Sequence, residues 1–101
     1  RTLRNMAYRF SKRAIADTEA LYEASLVQFG QRLADRYFKI MLDAAQFASD
    51  YPFAAPERAG TSLPLRVRYF GAHLLVYQVV DDGIVIQRVF HQSQDWESDV
   101  L

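Results

Sequence analysis

The spacing of apolar residues changes along the chain, and this change limits the folds open to it. Before residue 53, apolar residues recur every three to four positions, as they do on one face of an α-helix. After residue 64 they alternate with polar residues or run continuously, as they do in β-strands. Between these parts, residues 53–64 are rich in Ala, Pro, Gly, Thr and Ser, which predicts a loop. The pattern therefore predicts an α+β domain.

The first half predicts a short strand and two helices. Residues 7–10 can form the strand, and Ser11 supplies an N-cap oxygen for the helix that follows. Gly30 separates the helices as a C-cap or tight bend. Pro52 ends the second helix, because a residue before proline is kept out of the helical region. The predicted buried positions are Ile15, Thr18, Tyr22, Leu26 and Phe29 on the first helix, and Leu33, Tyr37, Ile40, Met41, Ala44 and Phe47 on the second.

The second half predicts three strands. Residues 65–70 alternate in polarity, whereas residues 73–80 are apolar on both faces, as in a central strand. An Asp-Asp-Gly sequence then predicts a hairpin turn, and residues 84–90 form the returning strand. The element order is β-α-α-β-β-β. It predicts a helical hairpin packed on one face of a mainly antiparallel sheet.

Composition restricts the class of protein. The length of 101 residues predicts one domain over residues 6–101, and residues 1–5 are interpreted as a tag remnant or N-terminal extension. Twelve basic and twelve acidic residues balance, so we expect no direct DNA binding by this chain alone. The absence of cysteine excludes disulfides and thiolate catalysis and suits the cytoplasm. No apolar run approaches the ~20 residues of a membrane span.

Polar side chains gather where the last predicted strand ends. The sequence "RVFHQSQDW", residues 88–96, holds Arg88, His91, Asp95 and Trp96 within nine positions. Trp96 is interpreted as an anchor for the C-terminal segment, with an exposed contact hot spot as the alternative. Asp50, Glu57 and the two turn aspartates are too dispersed to predict a metal site.

One interpretation of these residues is ribonuclease chemistry. RNA cleavage needs an acid or base near the 2′-hydroxyl and cations that offset charge building on the phosphate. His91 can supply the first, and Arg66, Arg68 and Arg88 can supply the second. The favoured alternative is structural: His91 bonds a backbone group at the strand end, and the arginines line a solvated face or pair with acids.

The remaining charges favour a binding surface over catalysis. Both lysines, Lys12 and Lys39, fall on predicted helices rather than on the strands. A histidine with arginines and no second acid or base is a thin catalytic set. Phe70 shares a strand face with Arg66 and Arg68, which predicts an apolar and basic surface for an acidic docking segment.

Two segments resemble the RelE/ParE superfamily of bacterial toxins from type II toxin–antitoxin modules. "YRFSKRAIADTEALYEASLVQFG" is similar to the opening strand and first helix of ParE. "RVRYFGAHLLVYQVVDDGIVIQRVFHQSQDW" resembles the ParE strand block, which ends in an Arg-x-x-His-x-x-x-Asp motif. Here that motif is formed by Arg88, His91 and Asp95, and the resemblance covers residues 8–96.

The resemblance implies a small cytoplasmic toxin of the plasmid-stabilisation type, neutralised by a ParD-like antitoxin. RelE-like members cleave messenger RNA at the ribosome, whereas characterised ParE-like members poison DNA gyrase. The closer likeness to ParE implies a gyrase poison without cofactor, metal or catalysis of its own. The alternatives are a RelE-type ribonuclease using Arg66, Arg88 and His91, or a non-toxic antitoxin-binding scaffold. The residues expected to bind target or partner are Arg66, Arg68, Phe70, Arg88, His91, Asp95 and Trp96.

Overall fold

The computed structural model describes residues 8–100, so the interpretation of residues 1–5 lies outside the described residues. The predicted order β-α-α-β-β-β is confirmed, and a short third helix, which was not predicted, follows the last strand. The elements are β1 (Tyr8–Phe10), α1 (Lys12–Phe29), α2 (Gln31–Asp50), β2 (Leu65–Phe70), β3 (His73–Val80), β4 (Gly83–His91) and α3 (Trp96–Val100).

The helices of the hairpin begin and end where local chemistry predicts. The Ser11 hydroxyl accepts the backbone N–H of Ala14 at 3.0 Å, which satisfies a donor that the first turn leaves free. Gly30 ends α1 with φ 84°, a conformation that side chains other than glycine rarely adopt. α2 stops at Asp50, and Tyr51 before the proline lies outside the helical conformation, with φ −131° and ψ 65°.

The four strands form one sheet in the order β1-β4-β3-β2. β2, β3 and β4 pair antiparallel and β1 runs parallel to β4, so the sheet is mainly antiparallel as predicted. Val80 pairs with Gly83 across a two-residue turn at the predicted position. The register between β3 and β4 shifts beside Val76, a bulge that the sequence did not predict.

Each face of the sheet carries its own apolar core. The face toward α1 and α2 buries Met41, Ala45, Phe70, Leu75, Tyr77, Ile84, Ile86 and Val89, among others. The opposite face, called the back face below, buries Leu65, Val67, Leu74, Val76 and Phe90 beneath Trp96 of α3. The short third helix therefore closes a surface that would otherwise be open.

The predicted buried stripes of the two helices were largely wrong. Thr18, Met41 and Ala44 are buried as predicted, but Ile15 and Phe29 of α1 are exposed. On α2, Leu33, Ile40 and Phe47 are also exposed, each by 38–42%. The residues in contact with the core are mainly small: Ala14, Thr18 and Ser25 on α1, and Ala34, Ala44, Ala45, Ala48 and Ser49 on α2.

The physical reason for this error is rotation about the helix axis. Neighbouring residues differ by about 100° around a helix, so Ala14 can face the core while Ile15 does not. Small side chains let the helices approach the sheet and each other, which turns the larger side chains toward the flanks. Within residues 8–100, no helix combines the length and apolar character needed to cross a membrane.

Candidate partner-binding site

The exposed apolar side chains of the helices line a groove of about 650 Å³. Both helices contribute to it, and its end is formed by the turn between β2 and β3 and by the end of β4. Phe29 is 57% exposed, Leu33 41% and Ile40 42%, so large apolar surface remains in contact with water. We call this feature the hairpin groove. Its main lining residues are Leu21, Phe29, Leu33, Tyr37, Ile40, His73 and His91.

The end of the hairpin groove is polar. His73 and His91 pair across β3 and β4, and their rings meet edge to face with centroids 4.9 Å apart. The Tyr37 hydroxyl lies 2.6 Å from Nδ1 of His73 and accepts the backbone N–H of Ala72 at 3.2 Å. Gly71 is required beside it, because its φ is 52° and an added Cβ would lie 2.6 Å from the Tyr37 hydroxyl oxygen.

Burial shifts the pKa values of His73 and Tyr37. Desolvation lowers the pKa of His73, and the positive charge of His91 when protonated acts in the same direction. Desolvation also raises the pKa of the Tyr37 hydroxyl, against the opposing effect of the hydrogen bond from Ala72. Both shifts favour the neutral forms, so His73 and Tyr37 offer a ligand hydrogen-bonding groups rather than charge.

Hydrogen bonds from Ser93 determine which ring nitrogen of His91 carries the proton. The backbone N–H of Ser93 donates to Nδ1 of His91 at 3.0 Å, and the Ser93 hydroxyl lies 2.7 Å from the same nitrogen. A backbone N–H can only donate, so Nδ1 is an acceptor and the proton of the neutral ring is on Nε2. His91 thus bonds a backbone group at the end of the strand, which is the contact that its structural interpretation describes. The lone pair of Nδ1 accepts a hydrogen bond from the segment after β4 and does not face a substrate.

The three predicted arginines do not form one patch. Arg66 and Arg68 pair with Tyr77 and Leu75 on β3, whereas Arg88 pairs with Val76. Because neighbouring residues of a strand point to opposite faces, Arg88 lies on the face opposite to Arg66 and Arg68. Strand spacing and rise also place Arg68 and His91 about 12 Å apart, with Phe70 and His73 in between.

Two of these arginines are held by carboxylates. Arg66 pairs with Glu57 at 3.3 Å. Arg88 binds Asp17 through two nitrogens, at 2.8 Å and 3.1 Å. Asp17 also accepts the backbone N–H of Val89, since β1 ends opposite Ile86 and leaves that part of β4 without a strand neighbour. Arg88 and Asp17 therefore close the edge of the sheet.

The remaining predicted contact residues divide by burial. Phe70 is 5% exposed and packs against Tyr37 and His73, so its prediction as a partner contact is corrected. Trp96 is 7% exposed and stacks on Phe90, which makes it an anchor rather than an exposed hot spot. Asp95 is exposed at the start of α3 and accepts the Ser98 hydroxyl at 2.8 Å.

Sequence reasoning missed the hairpin groove and the roles of Tyr37 and His73. One signal was available: both helices carry more large apolar residues than a single face can bury. The pairing of His73 with His91 depends on the register of β3 and β4, which the bulge beside Val76 shifts. Spacing along the chain did not define that register.

Comparisons with known proteins agree with this architecture. The sequence-family model described as "ParE toxin of type II toxin-antitoxin system, parDE" matches residues 8–96. A solved structure described as the chromosomal ParDE TA system from P. aeruginosa is similar in fold, with a TM-score of 0.71 at 16% identity. The similarity covers 84% of this chain and 94% of that one. No curated protein matches the sequence.

The fold is that of the RelE/ParE-like α+β toxins, with a helical hairpin on a four-stranded sheet. The chain belongs to the ParE family of toxins from type II toxin–antitoxin systems, as the match over residues 8–96 shows. Its role is that of the toxin of such a module, and the module supplies an antitoxin as its partner.

Proposed function

We propose that the antitoxin neutralises this toxin by covering the hairpin groove, and that the free toxin acts by binding DNA gyrase. The observation that carries the first part is the exposure of Phe29, Leu33 and Ile40 along one cavity. Contiguous apolar surface on a small protein commonly marks an interaction site. The likeness to ParE toxins supports the second part.

The shape of the groove favours an amphipathic helix of the antitoxin. Two helices form its walls, and a helix laid between them would present apolar side chains at spacings of three and four residues. The polar end, with Tyr37, His73 and Arg36, would receive hydrogen-bond acceptors of the same segment. Burial of each large apolar side chain contributes roughly 1.5–3 kcal/mol when complete, and less for the partly exposed ones here.

The arrangement of the basic residues supports binding rather than RNA cleavage. Arg88 is engaged by Asp17 of α1 at the edge of the sheet, away from Arg66 and Arg68. His91 uses its lone pair to accept from Ser93, so this geometry offers no base to a 2′-hydroxyl. No position within the described residues brings all of these groups around one phosphate.

The segment after β4 is a candidate surface for gyrase. Residues 92–95 are exposed, and both ends of the segment are fixed. At one end the Gln94 side chain accepts the N–H of His91, and at the other Trp96 is buried. A polar segment held in place costs less ordering on binding than a mobile one. Deletion of the whole tail would remove Trp96, so point substitutions are the better probe.

The test is a gyrase supercoiling and DNA-cleavage assay beside primer extension on messenger RNA, with purified toxin. Wild type is expected to inhibit gyrase, to leave RNA uncut and to be silenced by the antitoxin encoded beside it. Gln92→Arg should weaken gyrase inhibition about tenfold, since it changes an exposed contact. Asp81→Arg is the matched control, because it alters an exposed residue at the opposite end of β4.

The alternatives predict different results in the same assays. RNA cuts that disappear in His91→Ala, with gyrase unaffected, would contradict the proposal and indicate a RelE-type ribonuclease. If neither gyrase nor RNA responds while the antitoxin still binds, the chain acts as an antitoxin-binding scaffold. Equal losses of gyrase inhibition for Gln92→Arg and Asp81→Arg would remove the tail segment as the contact surface.

A further inference from the structure

The chain contains two histidines, and both lie at the polar end of the hairpin groove. His73 begins β3 and His91 ends β4, where the two residues pair across the strands. Their rings meet edge to face with centroids 4.9 Å apart. Histidine is the side chain whose ordinary pKa, about 6.5, lies closest to neutral pH. The two side chains of the type that gains a charge in mild acid therefore meet at one point of the proposed antitoxin site.

The side chains that line the hairpin groove offer no negative charge to this pair. Helix α2 contributes the Arg36 guanidinium and the Tyr37 hydroxyl, and α1 contributes no titratable group to the lining. The ring of Phe70 on β2 stacks on His73. Among the described residues, none that lines the groove is acidic. A charge on either ring would therefore add to the positive charge of Arg36, beside apolar walls that do not compensate it.

A hydrogen bond from the backbone favours the neutral form of His91. Its Nδ1 accepts the N–H of Ser93 at 3.0 Å, and a backbone N–H has no lone pair with which to accept in return. A proton on Nδ1 would set two donors against each other and break this contact. Protonation of His91 therefore costs a hydrogen bond of the segment after β4, in addition to the desolvation of the charge.

Desolvation, rather than hydrogen bonding, favours the neutral form of His73. Burial lowers the pKa of this ring, and a charge on His91 acts in the same direction. Protonated His73 can keep its contact with Tyr37 by donating from Nδ1, because the Tyr37 hydroxyl can then donate to the Phe70 carbonyl at 3.3 Å. The cost of a charge on His73 is therefore the loss of water around it. A partner laid over the groove would remove more of that water and raise this cost.

We propose that His73 and His91 make the antitoxin complex dependent on pH: the antitoxin covers the hairpin groove with both rings neutral, and protonation of either ring weakens its binding. This inference rests on the proposed function, in which an antitoxin occupies the groove, and adds a means of regulating that contact. Protons and antitoxin oppose each other by linkage, since each is bound better in the absence of the other. Antitoxin binding is therefore tightest where the rings of the free toxin are neutral. Acidification shifts the equilibrium toward free toxin.

The test is calorimetric titration of the toxin with the antitoxin encoded beside it, at pH 7.5 and pH 5.5. Wild type is expected to bind roughly tenfold more weakly at pH 5.5, because a ring of ordinary pKa that must stay neutral costs about tenfold in affinity one pH unit below that value. The double variant His73→Gln, His91→Gln contains no histidine and should lose this difference. Wild type should also release protons on binding at pH 6, measured in two buffers of different ionisation enthalpy. Circular dichroism confirms that each protein is folded at each pH.

A groove variant separates failure of this inference from failure of the proposed function. Groups of the antitoxin that titrate act on wild type and double variant alike, and Ile40→Asp reports whether the antitoxin occupies the groove. If Ile40→Asp weakens binding at pH 7.5 while wild type and the double variant respond equally to pH, the inference is overturned and the groove remains the antitoxin site. If Ile40→Asp binds like wild type, or wild type does not bind, the groove contact fails and this inference with it. Tighter binding of wild type at pH 5.5 would also overturn the inference, since it would indicate an antitoxin carboxylate beside the rings.

Discussion

The back face of the sheet and the hairpin groove are both rich in large apolar side chains, but the chain covers only one of them. On the back face, the six residues from Leu65 to Trp96 that form the core are each at most 8% exposed. In the hairpin groove, Phe29, Leu33 and Ile40 are 41–57% exposed. One short helix was enough to close the first surface. The second surface has similar chemistry and no covering element among residues 8–100.

The difference teaches how a small toxin divides its apolar residues between stability and recognition. A chain of this size has few large apolar residues to spare, and folded domains are stable by only about 5–15 kcal/mol. Small residues such as Ala14, Ala45 and Ala48 make the contacts between the helices and the sheet. The larger residues at neighbouring helix positions are thereby left exposed, where we propose that the antitoxin binds. Substitutions in the two regions should therefore separate stability from binding.

The largest expected effect is a loss of stability at the back face of the sheet, which α3 covers. Trp96 stacks on Phe90 with ring centroids 6.1 Å apart, and the Arg58 guanidinium lies 5.2 Å from the centroid of the Trp96 ring. Trp96→Ala should lower the free energy of unfolding by about 3–5 kcal/mol, through lost burial and the cavity left behind. Urea denaturation measures it, with Trp96→Phe as the milder control. A loss below about 1 kcal/mol would contradict the view that α3 closes the back face.

The back face and the hairpin groove also differ in how well the sequence predicts them. Ser11, Gly30 and Pro52 acted through local backbone chemistry, so the ends of the helices were predicted correctly. The burial of Trp96 was predicted as an anchor, although α3 itself was not. The groove was missed because the identity of the buried helix face depends on packing against the sheet. Ala14 and Ile15 are neighbours in sequence, and the apolar pattern favoured the larger one.

The site residues were predicted by type but not by arrangement. Arg88, His91 and Asp95 lie close in sequence, yet Arg88 binds Asp17, 71 residues earlier in the chain. Such a contact depends on how α1 lies across β4, which spacing does not define. Arg66 and Arg68 were predicted to share a face and do so, but the loop residue Glu57 pairs only with the first.

A smaller effect is expected at the polar end of the hairpin groove, as a dependence of stability on pH. Burial lowers the pKa of His73 in the folded state, so the unfolded chain takes up its proton first as pH falls. The neutral ring of His73 makes its full contribution to stability above the unfolded-state pKa of about 6.5. That contribution decreases as the pH falls below this value. His73→Gln should therefore reduce the decrease in Tm between pH 7.5 and pH 5.

The control for this pH effect is His91→Gln, which removes only the secondary cause of the shift. It should reduce the pH dependence less than His73→Gln does. Comparison of each variant with wild type at the same pH cancels any effect of acid that does not involve the substituted ring. Identical pH profiles for wild type and His73→Gln, measured by calorimetry, would show that the ring is not desolvated in solution.

A matched pair of substitutions tests directly whether the open apolar surface of the helices is the antitoxin site. Ile40 lines the hairpin groove, whereas Val27 of α1 is 89% exposed and lies outside it. Titration of the antitoxin should give a Kd about 100-fold weaker for Ile40→Asp, equivalent to about 2.7 kcal/mol, and within about threefold of wild type for Val27→Asp. Equal Kd values for the two variants would contradict the account.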